Sequence, residues 1–201
     1  MTNLTAQAIV ITYHLASRLM YVLGVGGALQ RQRSWARAGG GDGEARFLRF
    51  RRMAAPILAN DTLSFVVMCW WTRSDTVAHA LGTPAVVVGT ALMLLGVAVK
   101  AWATLAVGAR AFYWHDFFCP PSRPAATLTG PYRFVKNPMY SLGYAHTYGL
   151  ALLVGSLPGL ALAAFDQTTM LLFHHWVERP HVESLYGNGR AVAAVSDARV
   201  P

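Results

Sequence analysis

Charge is scarce in this chain, and acidic charge scarcest. Nine Asp and Glu face seventeen Lys and Arg among 201 residues, and only 13% of positions are charged, where a soluble domain carries about a quarter. That composition argues against an ordinary water-soluble domain. Cysteine is nearly missing too: Cys69 and Cys119 are far apart and form no disulfide framework, which suits a reducing setting. No Cys/His/Asp set has the spacing of metal ligands, so no metal is assigned. Intrinsic disorder is excluded by what is abundant, since six Trp, eight Tyr and nine Phe are too much apolar mass to leave solvated. The net charge of +8 would ordinarily point to nucleic acid. Here the arginines cluster between apolar runs, where membrane topology explains them, and no nucleic-acid partner is expected.

With 54% hydrophobic residues, the chain divides into five apolar stretches of membrane-spanning length: approximately 7–29, 53–71, 84–107, 138–156 and 159–177. Each is near the length a helix needs to cross about 30 Å of hydrocarbon. The first contains His14 and Arg18. No basic segment precedes it and no small-residue cleavage site follows, so it reads as a retained span rather than a signal peptide. Residues 1–201 form a single membrane domain on this reading. The expected fold is an all-α integral membrane protein with about five transmembrane helices.

Loop charge sets the orientation. Arg31, Arg33, Arg37, Arg46, Arg49, Arg51 and Arg52 lie between the first two spans. Arg110, Arg123, Arg133 and Lys136 lie between the third and fourth, and Arg179, Arg190 and Arg199 follow the fifth. The opposite side offers only Arg73. The positive-inside bias places the N-terminus outside and the C-terminus in the cytoplasm. Richness in Ala, Arg and Gly fits a bacterial inner membrane. Gly155-Ser156-Leu157-Pro158-Gly159 predicts a tight helical hairpin, and Gly39 to Gly43 a flexible linker.

Two polar collections on the cytoplasmic side are the candidates for chemistry. The first runs from Thr129 to Tyr140. Its Gly130-Pro131 makes a turn, Arg133 and Lys136 are cations three residues apart, and Asn137 is expected to cap a helix beginning at Pro138. Free amides at such a start would seat a carboxylate or phosphate; the alternative is a basic turn gripping lipid headgroups. The second, His174-His175-Trp176-Val177-Glu178-Arg179-Pro180-His181, is returned by the hairpin to the same face, which brings Glu178 toward Arg133 and Lys136. The alternative there is a surface ion pair beside an interfacial Trp. His174 and His175 do not make a metal pair, because adjacent helical residues point about 100° apart.

Gly130-Pro131-Tyr132-Arg133, Lys136-Asn137-Pro138-Met139-Tyr140, Glu178-Arg179-Pro180 and Leu185-Tyr186-Gly187 resemble the signature of the membrane methyltransferases that include phospholipid N-methyltransferases and isoprenylcysteine carboxyl methyltransferases. The resemblance covers residues 89–187. Asn137-Pro138 and His115-Asp116-Phe117-Phe118 are similar to the phospholipid branch. The resemblance implies a helical membrane enzyme that binds S-adenosylmethionine at a cytoplasmic-side cofactor site without a Rossmann domain, and no strand–Gly-x-Gly-x-x-Gly–helix unit is visible in the chain. It implies cofactor contacts at Tyr132, Arg133, Lys136, Asn137, Pro138, Tyr140, Glu178 and Gly96. Ala98 stands where the branch has a second glycine, Leu142 where it has a glycine after the motif Tyr, and Arg179 where it has a second acid.

Methyl transfer from a sulfonium is an in-line displacement served by positioning and water exclusion. An amine acceptor must also lose a proton, and Glu178, His115, Asp116 and His146 are the candidate catalytic groups. His146 has the alternative of a hydrogen-bonded packing role. Asp61 and Asp166 lie at span depth, as do His14 and Arg18, and an internal network such as Arg18 with Asp61 competes with proton transport. The expected function is S-adenosylmethionine-dependent N-methylation of a phospholipid amine headgroup. The alternatives are the same cofactor with a carboxylate, thiol or other small lipophilic acceptor, and a non-catalytic membrane binding protein with an eroded site. The expected partners are the bilayer and a lipid or lipophilic acceptor.

Overall fold

The computed structural model describes residues 2–37, 41–119 and 129–186. Gly39 and Gly40 of the expected linker, Arg123, and the tail from Gly187 with Arg190 and Arg199 lie outside the described residues. Every element described is helical, and the chain is an all-α membrane protein. Helix α1 (Thr2–Leu19) continues through a π-helical turn (Met20–Val25) into α2 (Gly26–Arg37). Helix α3 (Gly43–Trp71) starts at Asp42, whose side chain accepts from the Ala45 amide at 3.1 Å. Helix α4 (Asp75–Phe112) leaves helical geometry at Gly82 (φ 59°) and Gly108 (φ 79°).

Three stretches, Leu4–Trp35, Gly43–Trp71 and Asp75–Phe117, are long and apolar enough to cross a membrane. Their outward faces carry Leu23, Leu63, Val87, Leu94 and Leu105, the last 81% exposed. An apolar surface of that extent is at rest only against hydrocarbon.

Helices α5 (Ala145–Leu153) and α6 (Leu157–Phe173) form the expected hairpin. Gly155 turns at φ 65°, and the Ser156 hydroxyl accepts from the Gly159 amide at 2.9 Å while lying 2.7 Å from Thr72 Oγ1. A second π turn (His174–Glu178) leads into α7 (Arg179–Tyr186).

The expectation that Asn137 caps a helix starting at Pro138 is corrected. Residues 137–141 form turns closed by Asn137 C=O, which accepts from the Tyr140 and Ser141 amides at 3.2 and 3.0 Å. A 3₁₀ turn (Leu142–Tyr144) intervenes, and α5 begins only at Ala145. Gln167 Nε2 on α6 donates to the carbonyls of Tyr140 and Ser141, both at 3.2 Å. Those carbonyls are thereby satisfied across the hairpin instead of within a helix.

The core of the bundle is polar at its centre. Arg18 donates from Nε to Asp166 Oδ1 at 2.9 Å, and its terminal nitrogen lies 2.8 Å from Asp61 Oδ2. His14 bridges Asp166 Oδ2 at 3.1 Å and Ser64 Oγ at 2.8 Å. This is the internal network expected from Arg18 and Asp61. It ties α1, α3 and α6 together, and each charge is paired because an unpaired one at this depth is costly.

Candidate active site

Glu178 lies on the π turn that ends α6 and is the hub of the site. Its Oε1 accepts from Trp114 Nε1 at 2.5 Å and from the Tyr140 hydroxyl at 2.6 Å; its Oε2 accepts from His174 Nδ1 at 2.7 Å. Three donors from three segments fix this carboxylate, which has about four acceptor positions in all. The π turn brings His174 onto Glu178, and such turns recur at functional sites. Trp114 reaches Glu178 from a left-handed conformation (φ 54°, ψ 41°) just past α4. That is a costly geometry for a non-glycine residue, held by its buried surroundings.

The hub borders a cavity of about 210 Å³ whose wall includes Tyr132, Asn137, Met139, Asp116, His174 and Glu178. Tyr132 is delivered by a 3₁₀ turn (Gly130–Arg133) pressed onto α4. At Gly130 φ is 60°, and a Cβ there would meet Ala106 and Trp102 at 2.8 and 3.1 Å, so glycine is required. Burial and the Glu178 carboxylate push the Tyr132 hydroxyl up to about 12, so it remains a neutral donor at neutral pH.

Phe112, Trp114, Met139 and Tyr140 separate this cavity from a larger one of about 330 Å³ and line both. The larger cavity is bordered by Arg18, Asp61, Lys100, Tyr144 and His146. The smaller one alone falls below the roughly 300–1,000 Å³ usual for cofactor-sized ligands, and the two together reach it.

Of the residues singled out in the sequence, Tyr132, Asn137, Tyr140, Glu178 and Asp116 meet at the smaller cavity. His146 borders the larger one, with Nδ1 2.5 Å from Gly143 C=O. Because a carbonyl only accepts, Nδ1 carries the proton and Nε2 keeps its lone pair. Pro138 is fully buried, with its carbonyl accepting from the Gly143 amide at 2.8 Å.

Others lie elsewhere. Arg133 and Lys136 are exposed, border neither cavity, and do not pair with Glu178, contrary to the expected convergence. Gly96 serves packing, since a Cβ there would collide with the His146 backbone. His115 contacts Glu44 at 3.1 Å and Phe47 edge-on, away from both cavities. Glu44, His115 and Cys119 bring three ligand-type atoms within 4.8 Å of one another, but Glu44 already pairs with the Arg110 guanidinium.

Three departures from the motif pattern fall on outward positions. Ala98, Leu142 and Arg179 are exposed, and Arg179 pairs with Glu183 at 2.8 Å along α7. None of them takes a group from either cavity. Sequence reasoning missed Trp114 and discounted His174; neither a left-handed tryptophan nor a π turn has a signature in residue order.

The sequence model of the phospholipid methyltransferase family matches residues 84–189. A phosphatidylethanolamine N-methyltransferase of Lodderomyces elongisporus is 33% identical over 146 residues, 70% of this chain and 16% of that protein. Proteins of the same name from Candida albicans and Debaryomyces hansenii are 33% and 32% identical over 149 and 151 residues, each 70% of this chain and 17% of theirs. The chain thus spans about a sixth of the length of these curated relatives. No solved structure matches it. By the family match over more than half its length, this chain belongs to the phospholipid methyltransferase family.

Proposed function

We propose that this protein transfers a methyl group from S-adenosylmethionine to the amine of a phospholipid headgroup. The observation that carries the reading is the Glu178 carboxylate at the smaller cavity, fixed by His174 and by Trp114 and Tyr140, which also line the larger cavity bordered by lipid-facing helices. A methyl donor follows from the family, and the residues present fit this one. Glu178 keeps acceptor capacity for an ammonium or ribose hydroxyl. Tyr132 and Tyr140 offer aromatic faces to a sulfonium. When bound, the cofactor supplies an electrophilic methyl group for in-line displacement.

The chain's own contribution is position and proton handling. Phe112, Met139 and Trp114 keep the shared wall apolar and exclude water. His146 Nε2, left free by the Nδ1–Gly143 bond at the border of the larger cavity, offers a hydrogen-bond acceptor to the N–H of the amine. Arg133 and Lys136, exposed and bordering neither cavity, meet the phosphates of the surrounding bilayer rather than of the bound acceptor. Relatives with names that specify phosphatidylethanolamine support this acceptor over a carboxylate or thiol. The positions of the arginines support an orientation with both basic loops in the cytoplasm; Ala, Arg and Gly richness supports a bacterial inner membrane, although the relatives named above are fungal.

Calorimetric titration of the detergent-purified protein with S-adenosylhomocysteine tests the reading. Binding is expected, weakened about tenfold or more in Glu178→Gln, with methylated lipid formed from phosphatidylethanolamine vesicles. A folded, lipid-restored sample that binds nothing would make the chain a non-catalytic binding protein instead.

A further inference from the structure

One oxygen of Asp61 and the ammonium of Lys100 carry the unused polar capacity of the larger cavity. Asp61 is 4% exposed; its Oδ2 pairs with Arg18, but its Oδ1 is buried with no hydrogen-bond partner among the described residues. Lys100 lies over the Tyr144 ring with Nζ 4.9 Å from the centroid, and among the described residues it makes no ion pair with a carboxylate. Both border the same cavity. A buried carboxylate oxygen left unsatisfied at membrane depth is costly and signals a ligand.

Around them, Arg18 is spent on Asp61 and Asp166, and His14 on Asp166 and Ser64. Of the charged groups, what remains is one carboxylate oxygen and one cation, the complement of a molecule carrying an ammonium and an anion on one short linker. The cavity also shows how such a molecule arrives. Thr62 and Val66 of α3 border it and are exposed on the same helix face as Leu63 and Val67. Its mouth therefore opens sideways between helices onto the hydrocarbon, which is where a lipid is.

We propose that Asp61 and Lys100 form the headgroup-recognition pair of this protein: Asp61 Oδ1 takes the ammonium of an aminophospholipid and Lys100 its phosphate, with the acyl chains leaving past Thr62 and Val66. The inference rests on the phospholipid reading above and extends it to α1 and α3, which lie before the family-matched residues 84–189. Arg18 is a positioning residue here, holding Asp61 so that one oxygen stays free.

Binding of dihexanoyl-phosphatidylethanolamine and dihexanoyl-phosphatidic acid, which lacks the amine, would be measured by calorimetry on wild type, Asp61→Asn and Lys100→Gln. S-adenosylhomocysteine binding would be measured in parallel. Asp61→Asn is expected to weaken the ethanolamine lipid about tenfold or more while leaving phosphatidic acid unchanged. Lys100→Gln is expected to weaken both lipids and leave S-adenosylhomocysteine binding intact. Equal affinities in wild type and Lys100→Gln would overturn the proposal, as would an Asp61→Asn protein that loses both lipids alike while remaining folded. If Asp61→Asn does not fold, Lys100→Gln decides, because among the described residues Lys100 makes no ion pair with a carboxylate and its stem is kept in the variant. Wild type that binds S-adenosylhomocysteine but neither lipid would sink this site and spare the methyltransferase reading; the reverse pattern would do the opposite.

Discussion

The Tyr140 hydroxyl donates to Glu178 Oε1 at 2.6 Å across 38 positions of sequence. It joins the turn before α5 to the π turn after α6. The two motifs that stand apart in the chain are therefore halves of one site, and the hairpin between them sets the distance.

Removing that hydroxyl leaves Glu178 with Trp114 and His174 as donors. Tyr140→Phe is expected to weaken S-adenosylhomocysteine about tenfold, the scale of a hydrogen bond to a charged group. Unchanged affinity by calorimetry would remove Tyr140 from the site.

Trp114 and Tyr140 share one acceptor oxygen, so their losses should not add. A double-mutant cycle with Trp114→Phe and Tyr140→Phe is expected to give a coupling of about 0.5–3 kcal/mol in cofactor-analogue binding. Strict additivity would mean the two donors act independently.

Gly96→Ala is expected to destabilise the protein by about 1–3 kcal/mol through overpacking against the His146 backbone. Gly27→Ala has open space around its Cβ and serves as the control, with a neutral or slightly stabilising effect. Thermal unfolding in detergent compares them; equal melting temperatures would contradict the close α4–α5 contact.

Arg18→Met leaves Asp61 and Asp166 buried without their shared cation. A cost of about 3–5 kcal/mol follows, seen as loss of the monodisperse folded fraction on size exclusion. Normal yield and melting would show that the network is not structural.

Tyr132 has its ionisation pushed up to about 12 by burial and Glu178. Raising pH toward 10 should leave the phenol protonated, so Tyr132→Phe is expected to keep the shape of the activity profile between pH 7 and 10. An alkaline limb that disappears in Tyr132→Phe would show that the phenol ionises far lower.

Much of the candidate site was legible in residue order. Glu178, Tyr132, Asn137 and Tyr140 carry a recognisable spacing, and the Ser156 hairpin announces that both motifs return to one face. What misled is equally physical. An Asn-Pro pair predicts a helix start from local preference alone, yet Gln167, from the next helix, satisfies the Tyr140 and Ser141 carbonyls and stabilises turns there instead. Arg133 and Lys136 looked like partners for Glu178 because opposite charges were assigned to one face. A face does not say which side chains turn inward, and uncharged Trp114 and Tyr140 took the inner positions with His174.

By itself, the sequence determined that this chain is helical and membrane-embedded, because scarce charge and long apolar runs leave no other solvent for it. It also determined the family, through motif spacing. Only the tertiary structure decided which polar groups meet. Hydrogen bonds to Glu178 and the pairing of Arg18 with two aspartates depend on distances between helices, on a left-handed Trp114 and on a π turn. Those are settled by packing across the bundle rather than by neighbours in the chain.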